Sequence, residues 1–380
     1  MIYFDHNATT PLLPQARDAW LDAAERYSGN PSSPHRLGAR ADALLTEARE
    51  KLSTYLGCDA TELIFTSGAT ESSNTVLNAI ARDCDDGEVW ISAVEHPCVV
   101  APAQLHFGKR LRFLPVARTG VVDLNFLASE LKRVRPALVA IMAANNENGA
   151  LQPWREALAL CREREVPFFC DAAQWVGKLP ATGLGACDWV SGCAHKFGGP
   201  RGVGFLKVPR KRWTPLLHGG PQEEQRRPGT ENVAGVLSMI AALEVRESMQ
   251  ARSAFSSLEA ARDRFERELI KALPGAEIVS ADAPRLWNTS AALMPEADCQ
   301  QRWVVKLDKL GFAVSTGSAC ASGKEEASHV LRAMNYTAAE AARMLRFSAG
   351  WETPAEDWGK LLEGLRSVAQ FALATPASAH

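Results

Sequence analysis

Short apolar runs and stretches of helical period alternate through the first 256 residues of this chain, and that alternation leaves few architectures open. Glu62–Thr66, Glu88–Ser92, Arg112–Val116, Ala137–Ala143 and Val166–Cys170 suit strands covered on both faces. Between them, Ala39–Leu56 and Trp154–Glu165 repeat their apolar residues at helical spacing. Buried strands interleaved with helices predict an α/β fold, a mostly parallel central sheet sandwiched by helices. Ligands of such sheets bind beyond the carboxyl ends of the strands, so the segments that follow the strands are where chemistry is to be sought. After Ser256 the pattern changes: a polar, charged helix over Ser257–Leu273 leads into Gly275–Val279 and then further strand and helix candidates as far as Ala374. The expected division is a large domain over 15–256 and a smaller α+β domain over 257–380, completed by an N-terminal arm, 1–14. Thr375–His380 reads as a frayed tail.

With 380 residues and 46% hydrophobic content the chain can bury a core large enough for two domains. A formal charge of -2, with neither a basic stripe nor an acidic tail, argues against nucleic acid and against an anionic membrane surface as partners. The start, Met1-Ile2-Tyr3-Phe4-Asp5-His6, lacks the basic and apolar regions of a secretion signal, and no apolar stretch approaches membrane-spanning length. A cytoplasmic protein is expected. The nine cysteines include no Cys-x-x-Cys pair, which argues against a zinc site or disulfide framework and leaves no metal site to name.

The segment Cys193-Ala194-His195-Lys196-Phe197-Gly198 runs into Gly199-Pro200-Arg201-Gly202-Val203-Gly204. A lysine before a glycine-rich turn is placed to form an imine with an aldehyde cofactor. Asp171-Ala172-Ala173-Gln174 closes the apolar run Val166–Cys170, which puts the aspartate at a strand's carboxyl end. A carboxylate that keeps a pyridine nitrogen protonated and a lysine that holds an aldehyde are the two groups pyridoxal 5'-phosphate needs. Ser67–Ser72 follows the strand at Leu63–Phe65 and opens a helix through Ser73–Ala81. Its backbone N–H groups, with the Thr70 hydroxyl, either converge on a phosphate or simply cap the helix.

Two further groups suit the ring. Glu95-His96-Pro97 places His96 at the same sheet edge, where an imidazole stacks on a pyridine and relays protons, or else serves the structure alone. Asn145-Asn146-Glu147-Asn148-Gly149 offers amides to a phenolate oxygen or a substrate carboxylate, and equally makes a polar turn. Ser315–Lys324 sets Cys320 among Gly, Ser and Ala, the setting of an exposed thiol meant to react rather than of core packing. In Leu345–Gly350 the planar fork of Arg346 can grip a carboxylate in two bonds, whether of a ligand or of a neighbouring acid.

Taken in order, Asp5-His6-Asn7-Ala8-Thr9-Thr10, Gly29-Asn30-Pro31-Ser32-Ser33, Thr66–Glu71, Glu95-His96, Asn145-Asn146-Glu147, Asp171–Gln174, His195-Lys196, Arg227-Pro228-Gly229-Thr230-Glu231-Asn232 and Gly317–Cys320 resemble the cysteine desulfurases of the NifS/IscS type, over nearly the whole chain. The resemblance implies a class V aminotransferase of the fold-type I pyridoxal-phosphate group, a homodimer with active sites at the subunit interface. It implies L-cysteine as substrate and a sulfur-acceptor protein, an iron–sulfur scaffold or a thiolation enzyme, as partner. By the same resemblance Lys196 carries the cofactor, Asp171 pairs with the pyridine nitrogen, Gln174 and Asn146 lie near the phenolic oxygen, and His96 stacks on the ring. Ala69, Thr70, Cys193, His195 and Thr230 of the partner subunit would hold the phosphate. Arg346, with Asn146 and Asn30, would bind the substrate carboxylate, and Cys320 would take the sulfur as a persulfide. The length from Cys320 to Arg346 resembles the long-loop members that feed iron–sulfur assembly and tRNA thiolation.

Two positions depart from the family pattern. Cys193 stands where a serine is usual, a weaker donor for a phosphate. Trp351 stands where a second arginine often closes the Arg-Phe-Ser-x-Gly-Arg segment, so any role of that arginine is in doubt here. The chain also ends soon after its last expected helix, where scaffold-docking members often carry an extension, so the acceptor stays open. Other readings are separable by experiment. An aminotransferase of the same fold would transaminate a keto acid without needing Cys320, a selenocysteine lyase would prefer selenocysteine, and a non-enzymatic assembly protein would show no absorbance change with cysteine.

Overall fold

The computed structural model describes residues 1–251, 255–296, 300–316 and 328–373. Seven strands form the main sheet, in the spatial order Leu63–Thr66, Gly204–Lys207, Trp189–Cys193, Phe168–Asp171, Leu138–Ala140, Val89–Ser92 and Leu111–Leu114. Only Gly204–Lys207 runs against its neighbours; every other adjacent pair is parallel. The absence of polar alternation in these strands now has its cause. Successive side chains of a strand point to opposite faces, and both faces are covered. Ile64, Ile91, Leu138, Phe169 and Leu206 pack beneath helices Ala69–Asp83 and Pro97–Phe107. Their neighbours Phe65, Trp90, Val139, Phe168 and Phe205 pack on the other side, against helices Arg36–Leu56, Trp154–Arg162 and Val233–Ala251.

The expected strands are present with shifted ends, the largest change being Ala137–Ala143, which shortens to Leu138–Ala140. Trp189–Cys193 and Gly204–Lys207 escaped the sequence reading because glycine breaks both patterns. Gly192 is required all the same, since a Cβ there would collide with the Phe205 ring of the adjacent strand. The helix expected at Ser73–Ala81 starts earlier, at Ala69, directly after the turn at Gly68.

A second, antiparallel sheet is formed by Met344–Ser348, Thr289–Leu293 and Glu277–Ile278. Helices Phe255–Ala272 and Ala355–Leu373 cover it with a cluster that includes Phe265, Leu269, Phe347 and Trp358. Phe4 belongs to the same cluster, and Ile2–Tyr3 pairs in parallel with Phe312–Ala313. The N-terminal segment therefore leaves this sheet and runs across to the main one. Among the described residues no helix is long and apolar enough to cross a membrane.

Candidate active site

Segments that were separate in the sequence meet at the carboxyl edge of the main sheet, around a cavity of about 530 Å³. Ser67–Glu71, His96, Asn146, Asp171, Gln174, Cys193, His195, Lys196 and Arg346 all line it. Asp171 ends its strand with one carboxylate oxygen tied down: Oδ1 accepts from Ser191 Oγ at 3.1 Å and from the Ala173 N–H at 3.0 Å. Among the described residues the other, Oδ2, meets only the weak donor Cys98 Sγ, 3.8 Å away. A buried carboxylate held from behind and open on its cavity side is suited to a cationic ring nitrogen.

Lys196 follows the next strand. Its Nζ donates to the main-chain oxygens of Asn7 at 2.6 Å and Ala8 at 2.8 Å, and burial lowers its pKa from the ordinary lysine value. His195 Nδ1 lies 3.2 Å from Thr9 Oγ1, and burial, with Lys196 and Arg201 nearby, pulls its pKa down to about 4. His96 caps the helix Pro97–Phe107, its Nδ1 accepting from the Cys98 N–H at 3.1 Å. That bond leaves Nε2 to carry the hydrogen of the neutral ring, and burial lowers the pKa of this imidazole as well.

The start of the helix Ala69–Asp83 can receive an anion, since first-turn N–H groups have no partner within the helix. Glu71 folds back to accept from the Ser67 N–H at 2.8 Å and pairs with Arg227, also at 2.8 Å. Gly204 allows the turn to sit against the sheet, because a Cβ there would lie 2.5 Å from the Gly192 carbonyl oxygen and 2.6 Å from Gly68 Cα. Cys193 also lines the cavity. Burial pushes its thiol up to about 11, so it is a neutral group.

Arg346 is buried at the cavity wall, giving NH1 to the Asn146 carbonyl at 2.9 Å and NH2 to Asp5 at 2.7 Å. Gln174 lines the cavity while its amide donates to the Asn7 carbonyl at 2.9 Å and accepts from Lys178 at 2.5 Å. Asn30 and Thr230 lie outside this cavity. The Asn30 side chain accepts from the Ser32 N–H of its own turn at 2.9 Å, and Thr230 is exposed on the segment between Pro221 and Val233. Cys320 lies outside the described residues. The described chain on either side of it bonds to Arg346, in the cavity wall, and to Glu147, next to Asn146. Ser315 pairs with Arg346 through both backbone bonds, and Ser328 Oγ donates to the buried Glu147 at 2.6 Å.

Several participants went unassigned in the sequence. Asn7, Ala8 and Thr9 line the cavity, yet in sequence they are only the middle of a polar N-terminal motif. Glu95 is fully buried, accepts from the Met142 N–H at 2.6 Å, and has its carboxyl pushed well above the ordinary range by burial and then by Asp171. Trp351, at the position of the usual arginine, donates to the Gly177 carbonyl at 2.9 Å and packs on Trp287 with ring centres 4.6 Å apart. Among the described residues no group of His, Cys, Asp and Glu is arranged to hold a metal ion.

A half-buried lysine and a buried carboxylate opening into one cavity, beside a helix N-terminus at the edge of a mostly parallel sheet, define an α/β enzyme whose site suits an aldehyde cofactor with an anionic arm. The chain belongs to the "Aminotransferase class-V" family, whose model matches residues 2–361. That family is one of pyridoxal-phosphate-dependent enzymes. "Cysteine desulfurase IscS" of Dictyoglomus turgidum is 37% identical over 97% of this chain and 96% of its own length. A solved structure named "NIFS-LIKE PROTEIN" superposes with a TM-score of 0.88 at 30% identity, covering 97% of this chain and 99% of that one. Another, "SspA in complex with cysteine", gives a TM-score of 0.78 at 27% identity over 92% of this chain and 98% of its own.

Proposed function

We propose that this chain is a pyridoxal-phosphate-dependent cysteine desulfurase: L-cysteine and the Cys320 thiol give L-alanine and a persulfide on Cys320. The observation that carries the reading is the shared cavity of Asp171 and Lys196, closed at one end by the N–H groups of Ala69 and Thr70. The donor set fits the cofactor part by part. Asp171 Oδ2 is the anion for the pyridinium, Lys196 Nζ the amine for the aldehyde, and the helix start, with His195 and Cys193, the seat for the phosphate. His96 would stack on the ring, Gln174 and Asn146 would lie near its phenolic oxygen, and Thr230 of the partner subunit would complete the seat in a homodimer.

The bound cofactor supplies an electron sink conjugated to the substrate's Cα. Lys196 takes the Cα proton on Nζ, where the Asn7 and Ala8 carbonyls receive the resulting ammonium, and later returns it. Arg346, oriented by Asp5 and by the Asn146 carbonyl, binds the substrate carboxylate, with Asn146 and Asn30 assisting. As a thiolate, Cys320 attacks the substrate sulfur, so one S–S bond forms as the C–S bond breaks. The electron pair of the broken bond stays on carbon and is protonated, which makes alanine. Pairing of Ser315 with Arg346 supports this role, because the segment carrying Cys320 sets out from the carboxylate site. The persulfide then passes to an acceptor protein in the cytoplasm, of iron–sulfur assembly or thiolation.

The test is the visible spectrum of the purified protein with and without L-cysteine, together with alanine and persulfide analysis. A yellow protein is expected whose band is lost in Lys196→Ala. In Cys320→Ser the band should still respond to cysteine while persulfide disappears. A colourless protein that takes up no pyridoxal phosphate would sink the reading, and labelled sulfur on Cys320→Ser at the wild-type level would move the acceptor to another cysteine.

A further inference from the structure

Among the described residues Lys178 is a buried lysine without a carboxylate partner. Only 3% of it is exposed, and among the described residues its Nζ donates to Asn7 Oδ1 at 2.7 Å and to Gln174 Oε1 at 2.5 Å. Two aromatic residues close the pocket from outside. The Trp287 indole donates to the Lys178 carbonyl at 3.0 Å, and Trp351, packed on Trp287, reaches the Gly177 carbonyl.

Asn7 joins this lysine to the other one. Its side-chain oxygen holds Lys178 while its main-chain oxygen holds Lys196, so a single residue separates the two amines. We propose that Lys178 is a positioning residue for Lys196: fixed on the far side of Asn7, its amine and that of Lys196 disfavour each other's positive charge, which keeps Lys196 Nζ available to attack and to accept a proton. A neighbouring cation is one of the recognised ways to activate a lysine nucleophile. The inference rests on Lys196 being the cofactor lysine.

The remaining charges near the pair do not remove the effect. Asp171 and Asp5 favour the Lys196 ammonium, whereas Arg346 opposes it. Cys193 is a neutral thiol, and His6 is neutral too, its pKa pulled to about 3 by burial and then by Lys178 and Arg246. Arg246, lining the same small space behind Lys196, has its own counter-ion in Glu352 at 2.5 Å. Burial pulls the pKa of Lys178 well down, and repulsion from Lys196 pulls it the same way. Its two amide oxygens act in the other direction, since a hydrogen bond accepted from the charged form stabilises that form.

The test is the pH dependence of Lys196 acylation by limiting acetic anhydride in the full-length protein freed of cofactor with hydroxylamine, followed on the Lys196 peptide by mass spectrometry. In Lys178→Met the midpoint should rise toward the ordinary lysine value by about one pH unit, the size of a single nearby charge. Lys178→Gln keeps a donor for Asn7 and Gln174 but no charge, and it should show the same rise. If Lys178→Met does not fold, Lys178→Gln decides alone. A wild-type midpoint in Lys178→Gln overturns the proposal, because hydrogen bonding without charge would then suffice. Acylation needs neither cofactor nor turnover, so this result is independent of whether Lys196→Ala loses its spectrum.

Discussion

An alanine at position 204 tests the anion seat through a contact that has nowhere to go. Its methyl carbon would sit 2.5 Å from the Gly192 carbonyl oxygen and 2.6 Å from Gly68 Cα, and both obstacles are main chain. Gly192 is held within the sheet, where Gly192 pairs with Phe205 and Cys193 with Gly204, so the turn at Gly68 is the part able to yield. Overpacking costs about 1–3 kcal/mol, and with no side chain to rotate away the expected loss of stability is about 2 kcal/mol. Moving Gly68 carries the Ala69 and Thr70 N–H groups with it. A hydrogen bond to a charged acceptor is worth about 1.5–3 kcal/mol, so losing one weakens pyridoxal phosphate by about tenfold or more. Urea unfolding of the cofactor-free protein reads the first effect and absorbance titration with the cofactor reads the second. Lowered stability with wild-type affinity would refute the placement of the phosphate at this turn, and unchanged stability would refute the steric argument itself.

Two smaller changes probe other parts of the site. Cys193→Ser should tighten cofactor binding by about tenfold or less, since a hydroxyl donates more strongly than the thiol it replaces; looser binding with a lower melting temperature would count against Cys193 facing the phosphate. His6, whose pKa is about 3 in the fold, titrates near 6.5 once unfolded, so the unfolded chain binds the extra proton and stability falls as pH drops from about 6.5 toward 3. Melting temperature followed across that window should fall less steeply in His6→Asn, and a slope parallel to wild type would show that His6 is not the source.

The large sheet was legible because burial on both faces writes itself into unbroken apolar runs, as in Val89–Ser92 and Phe168–Asp171. The two strands that were not, Trp189–Cys193 and Gly204–Lys207, carry glycines chosen for contacts with each other and with the turn at Gly68. Such reasons exist only across strands and leave no local pattern. At the site, Asp171 and His96 could be found from their position after apolar runs, and Lys196 from the glycine-rich turn it precedes. Asn7 and Lys178 could not, since their roles come from crossing between sheets and from burial without a counter-ion. For Arg346 the two readings left open by the sequence are compatible: it has an acidic neighbour in Asp5 and still lines the cavity.

The path of the N-terminal segment sets an order of events during synthesis. The Asn7 N–H bonds Ser348 Oγ at 3.0 Å across 341 residues of chain, and its side chain bonds Thr289 at 2.9 Å. Residues 5–10 leave the ribosome well before the strand that seats them, so the intervening chain must be complete before the loop can close. Asp171, Lys196 and the helix start at Ala69 emerge long before that, able to form their part of the sheet but without the carbonyls that hold the Lys196 amine. On the proposed reading, cofactor capture therefore waits until that strand has been made. Chains interrupted before Met344 would fold much of the main sheet and still fail to retain the cofactor.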